Sequence, residues 1–193
     1  MVFNKRWLFA MMAWILVLVL LPACVTEKST PGEPPVSPPT SVPRPVIPPI
    51  PVEEVTMEEA EQIIGAPIAP KYLPPGWEFH RGFVYYGPAP HLNLYFSDEE
   101  IAGEVKTVQD FASLTNKKII LNVDRVEEMP STDIYEGMSE QYGGSVVDIN
   151  ETKGWLSSSG HSLYWTVPGL HFFMFVVEYL TEEEMLRIAR SIK

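Results

Sequence analysis

Prolines crowd into one short stretch of the chain, and this crowding decides which parts of it can fold. Ten of the 19 prolines lie between residues 31 and 51 of a chain of 193 residues. Proline fixes φ and donates no backbone hydrogen bond, so regular helices and interior strands are excluded there. The stretch from Val25 to Val52 also holds almost no aromatic residue, and it cannot bury enough apolar surface to offset its ordering entropy. We therefore expect residues 24–52 to form a disordered, proline-rich stalk.

The stalk should favour extended polyproline II structure. At about 3.1 Å per residue, residues 25–52 would reach about 85 Å. This length predicts a semi-rigid spacer that holds a domain away from its point of attachment. The alternative is a ligand for a proline-reading module, through Pro35-Val36-Ser37-Pro38 for example.

Residues 1–23 have the order of an export signal. Lys5 and Arg6 precede an uncharged apolar run from Trp7 to Leu21, and small residues follow. The run ends in Leu21-Pro22-Ala23-Cys24, which resembles the lipobox of bacterial lipoproteins. Leu21 and Ala23 match that pattern, whereas Pro22 is a less usual occupant. The resemblance implies cleavage after Ala23 and lipidation of Cys24, which becomes the mature N-terminus.

Lipidation of Cys24 would attach the chain to a bacterial membrane through acyl chains such as palmitate. Two or more acyl chains anchor a protein stably, whereas one binds only marginally. The alternative is an uncleaved anchor, because the uncharged stretch from Trp7 to Val25 is nearly long enough to span a bilayer. Both readings predict an extracytoplasmic domain. Cys24 is the only cysteine, so disulfides and a four-cysteine zinc site are excluded.

Charge narrows the class of partner. The formal net charge is −11, and the chain has no cluster of Lys and Arg that could neutralise phosphates, so we expect no nucleic-acid partner. An acidic domain is also repelled by anionic lipid, so membrane attachment should depend on the acyl group.

Residues 53–193 are predicted to form one globular α+β domain. Thr56 with Glu59, and Thr181 with Glu184, are capping boxes that open an N-terminal and a C-terminal helix. Between them, short turns separate β-like runs, which indicates hairpins and an antiparallel sheet of about six or seven strands with the two helices packed on it. The predicted strands are Trp77–Tyr86, His91–Ser97, Lys118–Val126, Ser145–Asn150, Lys153–Leu156, His161–Val167 and Leu170–Tyr179. Residues 105–116 and 127–144 carry no clear pattern.

The order of motifs in this domain resembles a known family. Tyr72-Leu73-Pro74-Pro75-Gly76-Trp77, Val147-Asp148-Ile149-Asn150, His161-Ser162-Leu163-Tyr164-Trp165 and Leu180-Thr181-Glu182-Glu183-Glu184-Met185 follow one another as in an uncharacterised bacterial family, number 4367 among the domains of unknown function. Such domains occur in exported lipoproteins and in anti-sigma-factor-like proteins. The resemblance covers about 130 residues and implies no catalytic residues. No sigma-binding segment precedes the signal in this sequence, which argues against a direct anti-sigma role.

No residue pattern predicts catalysis, a metal or a cofactor. His80, His91, His161 and His171 lack metal-ligand spacing. Ser157-Ser158-Ser159-Gly160-His161 has the composition of a turn and lacks a nucleophile elbow. The acidic run Asp98-Glu99-Glu100 with Glu104 lacks the spacing of a calcium loop.

The last predicted strand is apolar on both faces, which requires cover on both faces of the sheet. Ordinary core packing satisfies this requirement, and the alternative is an apolar binding face that receives a lipid, peptide or glycan. The residues assigned to such a face are Trp155, Tyr164, Trp165, Phe173, Phe175 and Tyr179.

The sequence thus predicts a lipid-anchored envelope protein that displays a small, non-catalytic binding or sensor domain. Its partner is an envelope protein, peptide, lipid or glycan that the sequence does not identify. The alternatives are an envelope hydrolase that uses carboxylates or a Ser-His pair in a cleft, and a purely structural spacer domain.

Overall fold

The computed structural model describes residues 48–126, 131, 133–177 and 180–192, all within one compact unit. The signal, Cys24 and most of the stalk lie outside the described residues. The elements in chain order are β1 (Glu53–Val55), α1 (Met57–Ile64), β2 (Glu78–Tyr86), β3 (Pro90–Ser97), a 3-10 helix (Val108–Ser113), β4 (Ile119–Arg125), α2 (Asp133–Tyr142), β5 (Ser145–Ile149), β6 (Thr152–Leu156), β7 (Ser162–Val167), β8 (Leu170–Val176) and α3 (Glu182–Ser191).

The fold is α+β with an antiparallel sheet, as the sequence predicts, but the strand number was wrong. All eight strands join in one sheet in the order β1-β2-β3-β4-β8-β7-β6-β5. The additional strand is β1, whose sequence Glu53-Glu54-Val55 has no apolar pattern. It is held at the sheet edge because Arg81 on β2 donates two hydrogen bonds to the Glu54 carboxylate, at 2.6 and 2.8 Å.

The chain contacts the domain slightly before the predicted domain boundary. Val108 N donates to Ile50 O at 3.0 Å, and Val52 N donates to Lys106 O at 3.1 Å. Residues 50–52, which the sequence assigned to the stalk, therefore make backbone contacts with the domain.

Strand β8 returns to the middle of the sheet, between β4 and β7. The two-sided apolar sequence of β8 predicts cover on both faces, but alternate positions are buried on one face and half-buried or exposed on the other, so the cover is complete on one face only. Phe172, Met174 and Val176 point to one face, which we call the first face, and His171, Phe173 and Phe175 point to the other, the second face.

The first face carries the main core. Helices α1 and α3 pack their apolar stripes on it, and the capping boxes predicted at Thr56 and Thr181 are both formed. Between α1 and β2 the chain turns at Gly76, where φ is +83° and Trp77 N donates to Pro74 O at 3.0 Å. The sequence Pro75-Gly76 predicts a type II turn, which needs a positive φ at its third residue, and this geometry fits it.

Two helices lie in regions that the sequence left unassigned. The 3-10 helix begins after Thr107, whose backbone N–H and hydroxyl both donate to the Asp110 carboxylate. Helix α2 connects β4 to the far edge strand β5 and packs on β5 and β6. Both helices lie over the second face, where they define the site described next.

Candidate functional site

The second face is covered at its two sides by different parts of the chain. On one side, residues 98–114, which we call the loop cover, place Ile101, Phe111 and Leu114 against Phe83 and Tyr95. Because Phe83 and Tyr95 are almost fully buried, the cover is closed over these two residues of β2 and β3.

On the other side, helix α2, which we call the helix cover, places Tyr135 against Trp155 and Tyr164. The hydroxyls of Tyr135 and Thr166 share a hydrogen bond of 2.5 Å that ties the helix to β7. Trp155 Nε1 adds a bond to Gly143 O at 2.9 Å, just after the helix ends.

Between the two covers runs a strip of partly exposed side chains, which we call the central trench. The second-face positions of β4 and β8 are all half-buried or exposed, whereas the flanking positions on β2, β6 and β7 named above are buried. The most exposed aromatic of the strip is Phe175, at 36%. The trench residues are His91, Asn93, Ile120, Asn122, Asp124, His171, Phe173 and Phe175.

The strand register arranges these residues in three rows across β3, β4 and β8. His91 pairs with Asp124, and Asp124 pairs with His171. In the next row Asn93 pairs with Asn122, and Asn122 pairs with Phe173. In the third row Ile120 lies beside Phe175. The trench is therefore polar at one end and apolar at the other.

The polar end contains a carboxylate–imidazole pair. His91 Nδ1 donates to Asp124 Oδ1 at 2.6 Å, and the His91 ring stacks on Tyr85 with ring centres 4.8 Å apart. The hydrogen bond to Asp124 raises the pKa of His91, against the opposing effect of burial. The side chains of His91 and Asp124 keep 30% and 42% of their exposure, so solvent reaches the pair.

His171 lies on the other side of Asp124 in a different environment. Its Nε2 atom is buried without a hydrogen-bond partner, and burial lowers the pKa of His171, with Asp124 acting in the opposite direction. The ring of Tyr164 contacts the His171 ring edge-on, with centres 5.6 Å apart. The Tyr164 hydroxyl is likewise buried without a partner.

The two unpaired atoms distinguish this end of the trench from ordinary core. Buried polar groups nearly always have a hydrogen-bond partner, because an unpaired one costs about 1–3 kcal/mol. Two such atoms on contacting rings show that the His171 side of the polar end is incompletely hydrogen-bonded.

The centre of the trench is formed by two amides. Asn93 and Asn122 are half-buried neighbours on adjacent strands, and neither side chain forms a hydrogen bond within the described structure. Each amide thus presents an acceptor and two donors to solvent.

Four of the six residues assigned to an apolar binding face do share the second face. Trp155, Tyr164 and Phe173 align in the register of β6, β7 and β8, and Phe175 lies one row away. Of these four, Trp155 and Tyr164 are buried under the helix cover, and only Phe173 and Phe175 reach the trench.

Trp165 does not join them, and its placement corrects the sequence-based grouping. It follows Tyr164 directly within β7, and successive strand residues point to opposite faces. Trp165 therefore belongs to the first-face core, where it stacks on Phe172 with ring centres 4.9 Å apart. Tyr179, the remaining member of the group, lies outside the described residues.

The other candidates from the sequence do not assemble. Ser157 and His161 form no mutual bond: Ser157 Oγ accepts from Ser162 N, and His161 Nδ1 donates to Val176 O at 3.2 Å. His80 Nε2 donates to Ser97 O at 3.2 Å. Among the described residues, no group of three or more His, Cys, Asp and Glu side chains is placed to hold a metal ion.

A signal for the trench was present in the sequence. In β3 the polar residues His91 and Asn93 alternate with Leu92 and Leu94, and in β4 the residues Asn122 and Asp124 alternate with apolar neighbours. Alternation assigns such residues to one face. Their convergence also required the pairing of β4 with β8, which short-range patterns do not specify.

No protein-family model, curated protein or solved structure matches this chain. The resemblance to family 4367 therefore rests on the motifs quoted above and stays a prediction. No helix in the described part of the chain is long and apolar enough to cross a bilayer.

Proposed function

We propose that this chain is a lipid-anchored cell-envelope protein whose globular domain binds a partner through the central trench, without catalysis. The observation that carries the binding role is the gap between the two covers of the second face. Covered sheet positions next to it are buried, yet Asn93, Asn122, Asp124 and Phe175 remain accessible. Ligand sites typically combine aromatic surface with a few hydrogen-bonding groups, and both are accessible here.

The anchoring role rests on the lipobox-like Leu21-Pro22-Ala23-Cys24. Cys24→Ser should abolish incorporation of radiolabelled palmitate and leave an unprocessed precursor, whereas Ser41→Ala in the stalk should change neither. Normal labelling of the Cys24→Ser variant would contradict the anchor.

The binding role is tested by site-specific photocrosslinking in the native envelope. Benzoylphenylalanine replaces Phe175 in the trench or, as a matched control, Tyr86, which is 58% exposed at the end of β2. We expect a discrete adduct from position 175 and none from position 86. Equal yields from both positions, or no adduct from position 175, would count against the trench as a binding surface.

The rival function is an envelope hydrolase, and the specific observation that favours it is the hydrogen bond between Asp124 and His91. A carboxylate that orients an imidazole is a known arrangement for activating a nucleophile. Two hydroxyls lie in the same register row. That of Thr166 is buried and engaged with Tyr135, and that of Tyr85 is a phenol whose pKa is raised by burial, so His91 would have to activate water. Turnover of an ester or glycoside substrate that is lost in Asp124→Asn would replace the binding proposal with this one.

A further inference from the structure

We infer that the central trench is a subsite for an uncharged saccharide. This inference rests on the binding function proposed above and names the chemical class of its ligand. Four properties of the trench support a saccharide: its hydrogen-bonding groups, its apolar surface, its charge and its dimensions.

The hydrogen-bonding groups of the trench suit a ligand with neighbouring hydroxyls. Asn93 and Asn122 present unpaired amides side by side, and Asp124 adds a carboxylate one row away. An amide both donates and accepts, and so does each hydroxyl of a sugar, so two adjacent hydroxyls can pair with one amide through two bonds. A ligand rich in neighbouring hydroxyls therefore satisfies these groups better than one with a single polar end.

The apolar surface lies next to the amides. Phe173 directly follows Asn122 in the register, and Phe175 lies one row further with Ile120 beside it. The C–H groups of a pyranose ring form a flat apolar patch that can pack on an aromatic ring while the hydroxyls at its rim reach polar groups. The trench offers both kinds of contact in adjacent register rows of one sheet face.

The charge of the trench favours a neutral ligand. The carboxylate of Asp124 accepts a hydrogen bond from His91 Nδ1 at 2.6 Å. On the same face, the amino group of Lys118 lies 3.9 Å from the carboxylate of Asp98. The trench residues include no Lys or Arg, and the formal net charge of the whole chain is −11. An acidic or phosphorylated ligand would therefore be repelled.

The other ligand classes fit less well. An acyl chain would leave the amides and Asp124 facing hydrocarbon, and each unpaired polar group costs free energy. A peptide that adds a strand needs a free sheet edge, but β4 and β8 are paired on both edges. A peptide that binds through its side chains alone would need no free edge, so the experiment below distinguishes such a peptide from a saccharide.

The dimensions suit one or two sugar rings. Three strands at about 4.8 Å spacing span roughly 10 Å, and two steps of two residues along a strand span about 13 Å. Longer glycans would extend past the ends of the trench.

The test is isothermal titration of the full chain in dimethyl-dodecylamine oxide micelles, a detergent that has no sugar headgroup. The probes are the hexasaccharides of glucose and of N-acetylglucosamine. We expect saturable binding of at least one. Phe175→Ala and the isosteric Asn122→Asp, which replaces amide donors with a second acidic group, should each weaken it tenfold or more. Tyr86→Ala is the matched control and should leave the affinity unchanged.

The outcomes separate this inference from the proposed function. If saccharide binding survives both trench variants, the saccharide does not bind in the trench and the inference is wrong. A photoadduct from position 175 to a protein or peptide, with no saccharide binding, would overturn the ligand class and leave the binding function standing. Absence of both the adduct and saccharide binding would overturn the two together. Circular dichroism of each variant shows whether the fold is retained, and Asn122→Asp provides an independent test if Phe175→Ala unfolds.

Discussion

The two faces of the sheet are built from the same strands, yet they are covered in different ways. On the first face, α1 and α3 close over a continuous core that extends from β2 to β5. On the second face, the loop cover and the helix cover form two separate apolar clusters with the central trench between them. The side chains change accordingly: the first face holds apolar side chains throughout, whereas the trench holds amides, histidines and Asp124 beside Ile120, Phe173 and Phe175. Polar groups therefore enter the sheet surface where the cover of the second face is incomplete.

The largest expected effect is on the free energy of unfolding, and it tests the difference between the two faces within one strand. Met174 and Phe175 are neighbours on β8, but Met174 is fully buried on the first face and Phe175 is 36% exposed in the trench. Met174→Ala should lower the free energy of unfolding by about 2–5 kcal/mol, because it leaves a cavity in the core. Phe175→Ala should lower it by about 1 kcal/mol or less. Urea unfolding followed by circular dichroism measures both, and equal losses would mean that the second face is as closed as the first.

A smaller effect is expected from loosening the helix cover. Tyr135→Phe removes the bond to Thr166 and leaves the buried Thr166 hydroxyl without its partner, which should cost about 1–3 kcal/mol. Thr166→Val removes the other partner. The double variant should lose less stability than the sum of the single variants, because each single change already breaks the same bond. Strictly additive losses in urea unfolding would show that the hydroxyls do not tie α2 to β7.

The sequence predicted the elements of this fold better than their arrangement. The capping boxes at Thr56 and Thr181 and the turn at Gly76 are local, so they could be found from a few neighbouring residues. Strand β1 was missed because it depends on the distant pair formed by Arg81 and Glu54. Helix α2 was missed because Tyr135 is its only buried residue among those described, which leaves no apolar stripe to detect.

The candidate site was predicted only in part, for a related reason. Two-sided apolar character predicted cover on both faces of β8, but the structure buries only its first-face positions fully. The sequence did not indicate that β8 pairs with β4, and this pairing brings His171 beside Asp124. The polar half of the trench is therefore a product of long-range register, whereas Phe173 and Phe175 were accessible to local reasoning.

The smallest expected effect concerns the two histidines on either side of Asp124, and it sharpens the comparison within the trench itself. The bond to Asp124 raises the pKa of His91 above 6.5, while burial lowers the pKa of His171 below 6.5. His91 should therefore stabilise the fold fully below pH 6.5 and lose this contribution as the pH rises through its own pKa. His171 should contribute above pH 6.5 and lose its contribution as the pH falls towards its own pKa.

Selective ¹³C labelling of the histidine rings lets both groups be titrated by nuclear magnetic resonance in the full chain, with His→Gln variants to assign the signals. Asp124→Asn should lower the pKa of His91 most, because it removes the charged hydrogen-bond acceptor. It should lower the pKa of His171 further as well, because Asp124 opposes the effect of burial there. If the two histidines titrate at the same pH, their environments do not differ as the structure indicates. If Asp124→Asn leaves the His91 titration unchanged, Asp124 does not raise the pKa of His91.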